Sequence, residues 1–179
     1  MIYSFITNKD LDLSIKPYFL EQATVGAPHK IKKAEAAAFT QIKSMLNSKF
    51  DLEKLFPSIK EFSADKAYVA DEYCSYDDVI YKAKLGSTGV TPGTDTSKWE
   101  ESDPRDALLI VHAVNITIFY LLESVNKRKI PDDVIEAYNR AINWLEDVKN
   151  GVENPDWDLI VTDGMEVRSG SNEKIDHYW

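Results

Sequence analysis

The chain has 179 residues, with 21 Lys and Arg against 30 Asp and Glu, a formal net charge of −9. Apolar residues make up 44% and charged residues 28%, the composition of one ordinary globular domain and not of a disordered or membrane chain. The acid surplus argues against a dedicated nucleic-acid binder, which needs Lys and Arg to neutralise phosphates. The lone cysteine, Cys74, leaves no partner for an internal disulfide and no cluster for zinc.

Residues 1–10 carry no basic region followed by an apolar run, so no signal peptide is expected and the protein is expected to be made in the cytoplasm. Asn8 or Asp10 reads as the cap of a short helix through Leu11, Leu13 and Ile15, interrupted by Pro17. A loop through residues 23–27 leads to Pro28, which suits the first turn of a helix. From there Ile31, Ala34, Ala38, Ile42, Met45 and Leu46 recur at spacings of three and four, the pattern of an amphipathic helix. Lys30, Lys32 and Lys33 fall on its outer side as a solvated face, and the small alanines allow another helix to come close. Residues 51–56 add one more turn before Pro57.

Residues 63–70 read as a short helix or an extended link. Asp77 and Asp78 then form a turn, with Val79, Ile80 and Tyr81 as strand formers after it, and Gly86, Gly89, Pro92 and Gly93 break regular structure before Trp99. This is a small β-hairpin module at 73–100. So few residues need their rings for a miniature core, and Tyr76, Tyr81 and Trp99 are assigned to that core or to a surface contact.

Pro104 opens a second long helix, capped by Ser102 or Asp103. Residues 107–122 are apolar almost all round, as in a central helix packed on several sides. The run is read as too short for a bilayer span of about 20 residues, and His112, Asn115 and Thr117 interrupt it. After a polar link at 126–130, Pro131 with Asp132 and Asp133 starts a third long helix. Val134, Ile135, Tyr138, Ala141, Ile142, Leu145 and Val148 form its stripe, and Gly151 ends it. Beyond it, residues 158–162 and 165–168 read as a hairpin across Asp163 and Gly164, and the chain closes on a polar arm. Trp157, Ile175, His177, Tyr178 and Trp179 are its bulky residues, more useful buried on a partner than in water.

The chemistry-bearing residues do not converge. His29, His112 and His177 have no metal-ligand spacing, and His112 is expected to hydrogen-bond Asn115 inside the bundle. No phosphate loop, dinucleotide fingerprint or nucleophile elbow is present. The pairs Asp77–Asp78 and Asp132–Asp133 are adjacent in sequence and so point apart. No catalytic residue, metal ligand or cofactor is assigned, and the chain is read as no enzyme.

The expected fold is therefore mainly α. Three long helices and a short N-terminal element form a bundle at 1–72 and 101–151, the hairpin module is inserted at 73–100, and an extended C-terminal arm covers 152–179. This frame resembles the small head–tail connector, or head-completion, proteins of tailed bacteriophages and prophages. The resemblance rests on the Ala-rich helix at 34–46, the Pro-bearing link, the apolar helix at 105–122, and above all the landmarks Pro131, Tyr138, Ala141, Leu145 and Gly151. It implies a non-enzymatic homo-oligomer, a ring of twelve copies at the virion neck. Such a ring would touch the portal protein and tail or stopper proteins and pass DNA without specific binding, with no membrane contact. A second, local resemblance joins residues 76–84 and 88–100 to the small chitin-binding-type β-module of glycosidases and phage structural proteins. It implies the alternative of a carbohydrate-binding accessory protein using Tyr76, Tyr81 and Trp99.

Overall fold

The computed structural model describes residues 5–12, 29–126 and 130–160. Three long helices pack together, and a small sheet region is inserted between the first and second of them. The helices are α1 (Asn8–Asp12), α2 (His29–Leu46), α3 (Leu52–Leu55), α4 (Ala107–Asn126) and α5 (Asp132–Asn150). The strands are β1 (Lys60–Glu61), β2 (Ala67–Tyr68), β3 (Tyr73–Tyr76), β4 (Val79–Ala83), β5 (Ser87–Thr88) and β6 (Trp99–Glu101).

Side-chain oxygens set the helix starts, and two of them differ from expectation. Thr7, not Asn8 or Asp10, begins α1. Its backbone N–H donates to Asp10 Oδ2 at 2.8 Å and its hydroxyl accepts from the Asp10 N–H at 3.3 Å, a reciprocal capping box. Asp106, not Ser102 or Asp103, caps α4 by accepting from the Leu109 N–H at 2.7 Å. Asp103 is taken up by Arg105 instead, as described below. Asp51 caps α3, accepting from the N–H groups of Glu53 and Lys54. Acids in the first turn of α5 match the helix dipole, and Gly151, at φ 76°, closes α5 in the left-handed conformation that costs glycine least.

Helix α4 lies between α2 and α5 and packs on each more extensively than they pack on one another. The trunk core joins Ala38, Ile42 and Leu46 of α2, Leu109, Ala113 and Ile116 of α4, and Ala141, Leu145 and Val148 of α5. Phe5, Phe39 and Phe56 close one end edge to face, with ring centroids 5.0–5.4 Å apart. Two polar ties set the level of α2 against α5. Gln41 Nε2 donates to the Tyr138 hydroxyl at 3.2 Å, and Lys49 Nζ donates to the Val148 carbonyl at 3.0 Å.

The sheet runs β1-β3-β4-β6, with β1 parallel to β3 and the other pairs antiparallel, while β2 and β5 form a separate antiparallel pair. Asp77 and Asp78 make the β3–β4 turn, both at positive φ (52° and 57°), the twist a two-residue hairpin needs. Strand pairing begins before Tyr73, at β1 and then at β2, which falls in the stretch at 63–70 read as short helix or extended link. Strands of two residues are too short to show alternation in sequence. The region has its own core of Tyr68, Cys74, Ala83 and Trp99, separate from the trunk.

The stretch after α5 folds back on the trunk. Asp51 N–H donates to the Asp158 carbonyl at 2.9 Å and Ile160 N–H to the Lys49 carbonyl at 3.0 Å, with Phe50 bridged to Leu159. The expected hairpin partner at 165–168, the rest of the arm at 161–179, and the expected continuation of α1 through Leu13 and Ile15 to Pro17 lie outside the described residues.

Arg105 stands where the sheet region returns to the trunk, its side chain 3% exposed. Its guanidinium meets Asp10 at 2.7 Å and Asp103 at 2.6 Å, donates to the Phe5 carbonyl, and lies 5.6 Å from the centre of the Phe5 ring. Burial works against its charge, but the hydrogen bonds to Asp103 and Asp10 outweigh it and hold the group more firmly protonated. Removing one member of a buried ion group strands the others, so Arg105→Ala is expected to lower stability by about 3 kcal/mol or more. Arg105→Lys, which keeps the charge but loses the fork, should lose less. Urea denaturation of the two variants checks the order.

Candidate functional site

The aromatic residues of the sheet region are mostly turned inward. Trp99 is 2% exposed. Its Nε1 donates to the Val90 carbonyl at 2.9 Å, and its ring meets Tyr68 and Phe62 edge to face at 5.2 and 6.2 Å. Tyr81 is half-buried over Gly93, where an added Cβ would lie 3.0 Å from its hydroxyl, so the loop needs glycine there both for space and for φ +82°. Tyr76, 41% exposed, rests its ring edge to face with Phe62 at 5.8 Å. Trp99 therefore offers no ring face to a sugar, and Tyr76 alone of the three is exposed. Cys74 is buried behind them, and burial pushes its thiol up to about 11, so it stays protonated at neutral pH.

The titratable groups do not assemble a reactive site among the described residues. No group of three His, Cys, Asp or Glu there is placed to hold a metal ion. Asp77 and Asp78 form a turn, and Asp78 accepts from the Asn8 side chain at 3.1 Å. Asp132 and Asp133 occupy the first turn of α5. His29 is exposed at the start of α2. His112 departs from expectation. It forms no bond with Asn115, and its buried Nδ1 has no hydrogen-bond partner. Its ring stacks on Trp144 of α5 at 4.3 Å and 23°. Flat contact with an indole replaces the expected polar one. Burial pushes the His112 pKa down, Asp106 opposes that shift, and Arg140 adds to it.

Trp157, expected at a partner surface, packs on its own trunk. Its Nε1 donates to Asp106 Oδ2 at 3.1 Å, and its ring meets Phe50 at 5.2 Å and Trp144 at 5.7 Å. The capping residue of α4 thus also anchors the chain after α5. Ile175, His177, Tyr178 and Trp179 lie outside the described residues.

Large apolar residues are exposed in the sheet region (Val69, Leu85), after α5 (Val152, Leu159) and on α4. Helix α4, expected to be packed on several sides, exposes Leu108 (49%), Val111 (46%) and Val125 (45%). The expectation that it is too short for a bilayer is also corrected. Residues Ala107–Val125 are long and apolar enough to cross a membrane by length and composition, with 39% of that window buried. Their contacts with α2 and α5 are those of a trunk helix with apolar residues exposed towards its two ends. Leu108 and Val111 lie near its start and Val125 near its end, and on the face between them Ile118 is buried and Asn115 and Leu122 are half-buried. A continuous apolar run hides such exposure from sequence reading, because every side of the helix looks the same. On α2, Lys32, Lys33, Ala36, Ala37, Thr40 and Ser44 are exposed. On α5 the exposed face carries Asp132, Asp133, Glu136, Glu146 and Asp147.

No family model, curated protein or solved structure matches the chain.

The lowered pKa of His112 has a signed consequence. As pH falls below the ordinary histidine value of 6.5, the unfolded chain binds a proton at His112 that the folded chain resists. Folding stability from this residue is full above that pH and is lost as the pH falls through it. His112→Phe, which keeps a flat ring on Trp144, should flatten the fall between pH 7.5 and 5. Urea unfolding of both proteins across that range checks the difference.

Proposed function

We propose that the chain is a structural subunit of a tailed-phage particle, a head-to-tail connector that oligomerises into a ring between portal and tail and leaves a channel for DNA. The observation that carries this reading is the exposure of apolar residues towards both ends of α4. Leu108, Val111 and Val125 stand in water on a helix whose other residues supply the trunk core. A monomer gains nothing from such exposure, whereas a neighbouring surface that covers it gains the hydrophobic free energy of burial, about 25 cal/mol per Å².

The landmarks of the resemblance have physical roles in the trunk. Tyr138 stacks on Phe119 at 4.1 Å and accepts from Gln41. Ala141 and Leu145 are fully buried, and Gly151 is the left-handed cap. Work by assembly needs no reactive group and agrees with the scattered histidines and acids described above. The surplus of acid also suits a passage that must not trap DNA.

The described chain is anchored to its own trunk as far as Ile160. In this reading the residues beyond act as an arm that reaches a neighbour, as arms that order on contact commonly do. Deletion of residues 170–179 should leave the circular dichroism and urea midpoint of the subunit unchanged and abolish rings in negative-stain images and mass photometry. Rings of normal size from the truncated chain would defeat the arm.

A further inference from the structure

Helices α2 and α5 carry opposite charge on their outer faces. The single acid of α2, Glu35, is buried and accepts from the Ile6 N–H at 3.1 Å. The exposed charges of that helix are therefore all basic, with Lys32 and Lys33 in its first two turns. No ion pair engages either lysine among the described residues. The exposed face of α5 is acidic, with Asp132, Asp133 and Glu136 in its first two turns. Among the described residues, the one ion pair they make is the distant contact of Glu136 with Arg140, at 3.9 Å.

The two charged ends also stand at the same level. The ties from Gln41 to Tyr138 and from Lys49 to Val148 join residues 97 and 99 apart in sequence. The chain therefore advances in the same direction through α2 and α5 with a nearly constant offset. Carried back along α2, that offset sets Lys33 level with the start of α5. Within one molecule no ion pair joins these lysines to these acids among the described residues. In a closed ring whose axis runs along the helices, every copy stands at the same height. Groups at one level then meet across the boundary between neighbours.

We propose that the outer face of α2 in one copy docks on the outer face of α5 in the next, with Lys32 and Lys33 against Asp132, Asp133 and Glu136. The contact is heterologous, so it propagates around a ring instead of closing a dimer. Ala36, Ala37, Thr40 and Ser44 keep the α2 face low between and beyond the lysines, which lets the α5 face approach closely. Complementary charge sets the register and direction, and excludes pairing of α2 with α2 or α5 with α5. The inference rests on the ring reading and names the surfaces that would build it.

Charge reversal tests it on the full chain. Lys32→Glu with Lys33→Glu should raise the concentration needed for half-assembly about tenfold or more, and so should Asp133→Lys with Glu136→Lys. The four changes combined should restore assembly to near the unaltered level. Circular dichroism of each variant confirms that the subunit is folded. Rings that form equally well with either pair reversed would overturn the α2–α5 contact and leave the ring reading standing. Loss of duplex-DNA retention in the lysine variant, with assembly unchanged, would overturn it in favour of a polyanion face. A monomer at every concentration of the unaltered chain would remove both.

Discussion

The Arg105 guanidinium is the point on which the arrangement of the parts depends. It joins the N-terminal element through Asp10 and the Phe5 carbonyl, the exit of the sheet region through Asp103, and the approach to α4 through its own backbone. The N-terminal element shares the trunk core through Phe5, Ile6 and Leu11, whereas the sheet region keeps a core of its own. A buried cation whose donors are divided among them fixes their positions in a way that non-directional burial cannot. The cost of desolvating the charge is offset only while all the acceptors are present. The sheet region and the trunk can therefore keep separate cores and still hold one relative placement.

A similar economy of polar groups operates at the next residue, where α4 begins. Asp106 accepts from the Leu109 N–H to begin the helix and from the Trp157 indole to retain the chain after α5. Trp157 in turn meets Trp144, and Trp144 stacks on His112. One aspartate thus couples the start of a central helix to an aromatic row that crosses to α5. The order of the chain up to Ile160 follows from that row and from the backbone pairing with residues 49–51. The exposed apolar residues of α4 and the oppositely charged exposed residues of α2 and α5 are the surfaces on which the proposed reading places work between molecules.

Much of the frame was legible in the sequence because its signals are local. Proline, first-turn acids and Gly151 mark α5, and alternate fours of Ala34, Ala38, Ile42 and Leu46 mark the buried side of α2. The Asp77–Asp78 turn was equally plain. Features that depend on distant parts of the chain were not. Thr7 pairs with Asp10 in a capping box while Asp10 also reaches Arg105, 95 positions away, and Asp103 turns to Arg105 so that Asp106 caps α4. The two-residue strands β1 and β2 have no periodicity to read. His112 looked polar and in need of an amide partner, yet the indole it meets lies on another helix. The uniform apolarity of α4 concealed which residues would be left exposed, and level opposition of charge on α2 and α5 needs the cross-ties of Gln41 and Lys49 before it can be seen.

The account holds that this chain works by fitting against copies of itself. Sedimentation velocity of the unaltered full-length protein, followed from nanomolar to high micromolar concentration in low salt, tests that claim most directly. The account predicts conversion of the subunit into one discrete closed species as concentration rises, and its return toward monomer as salt is added. A single sedimenting species of monomer mass throughout would contradict it.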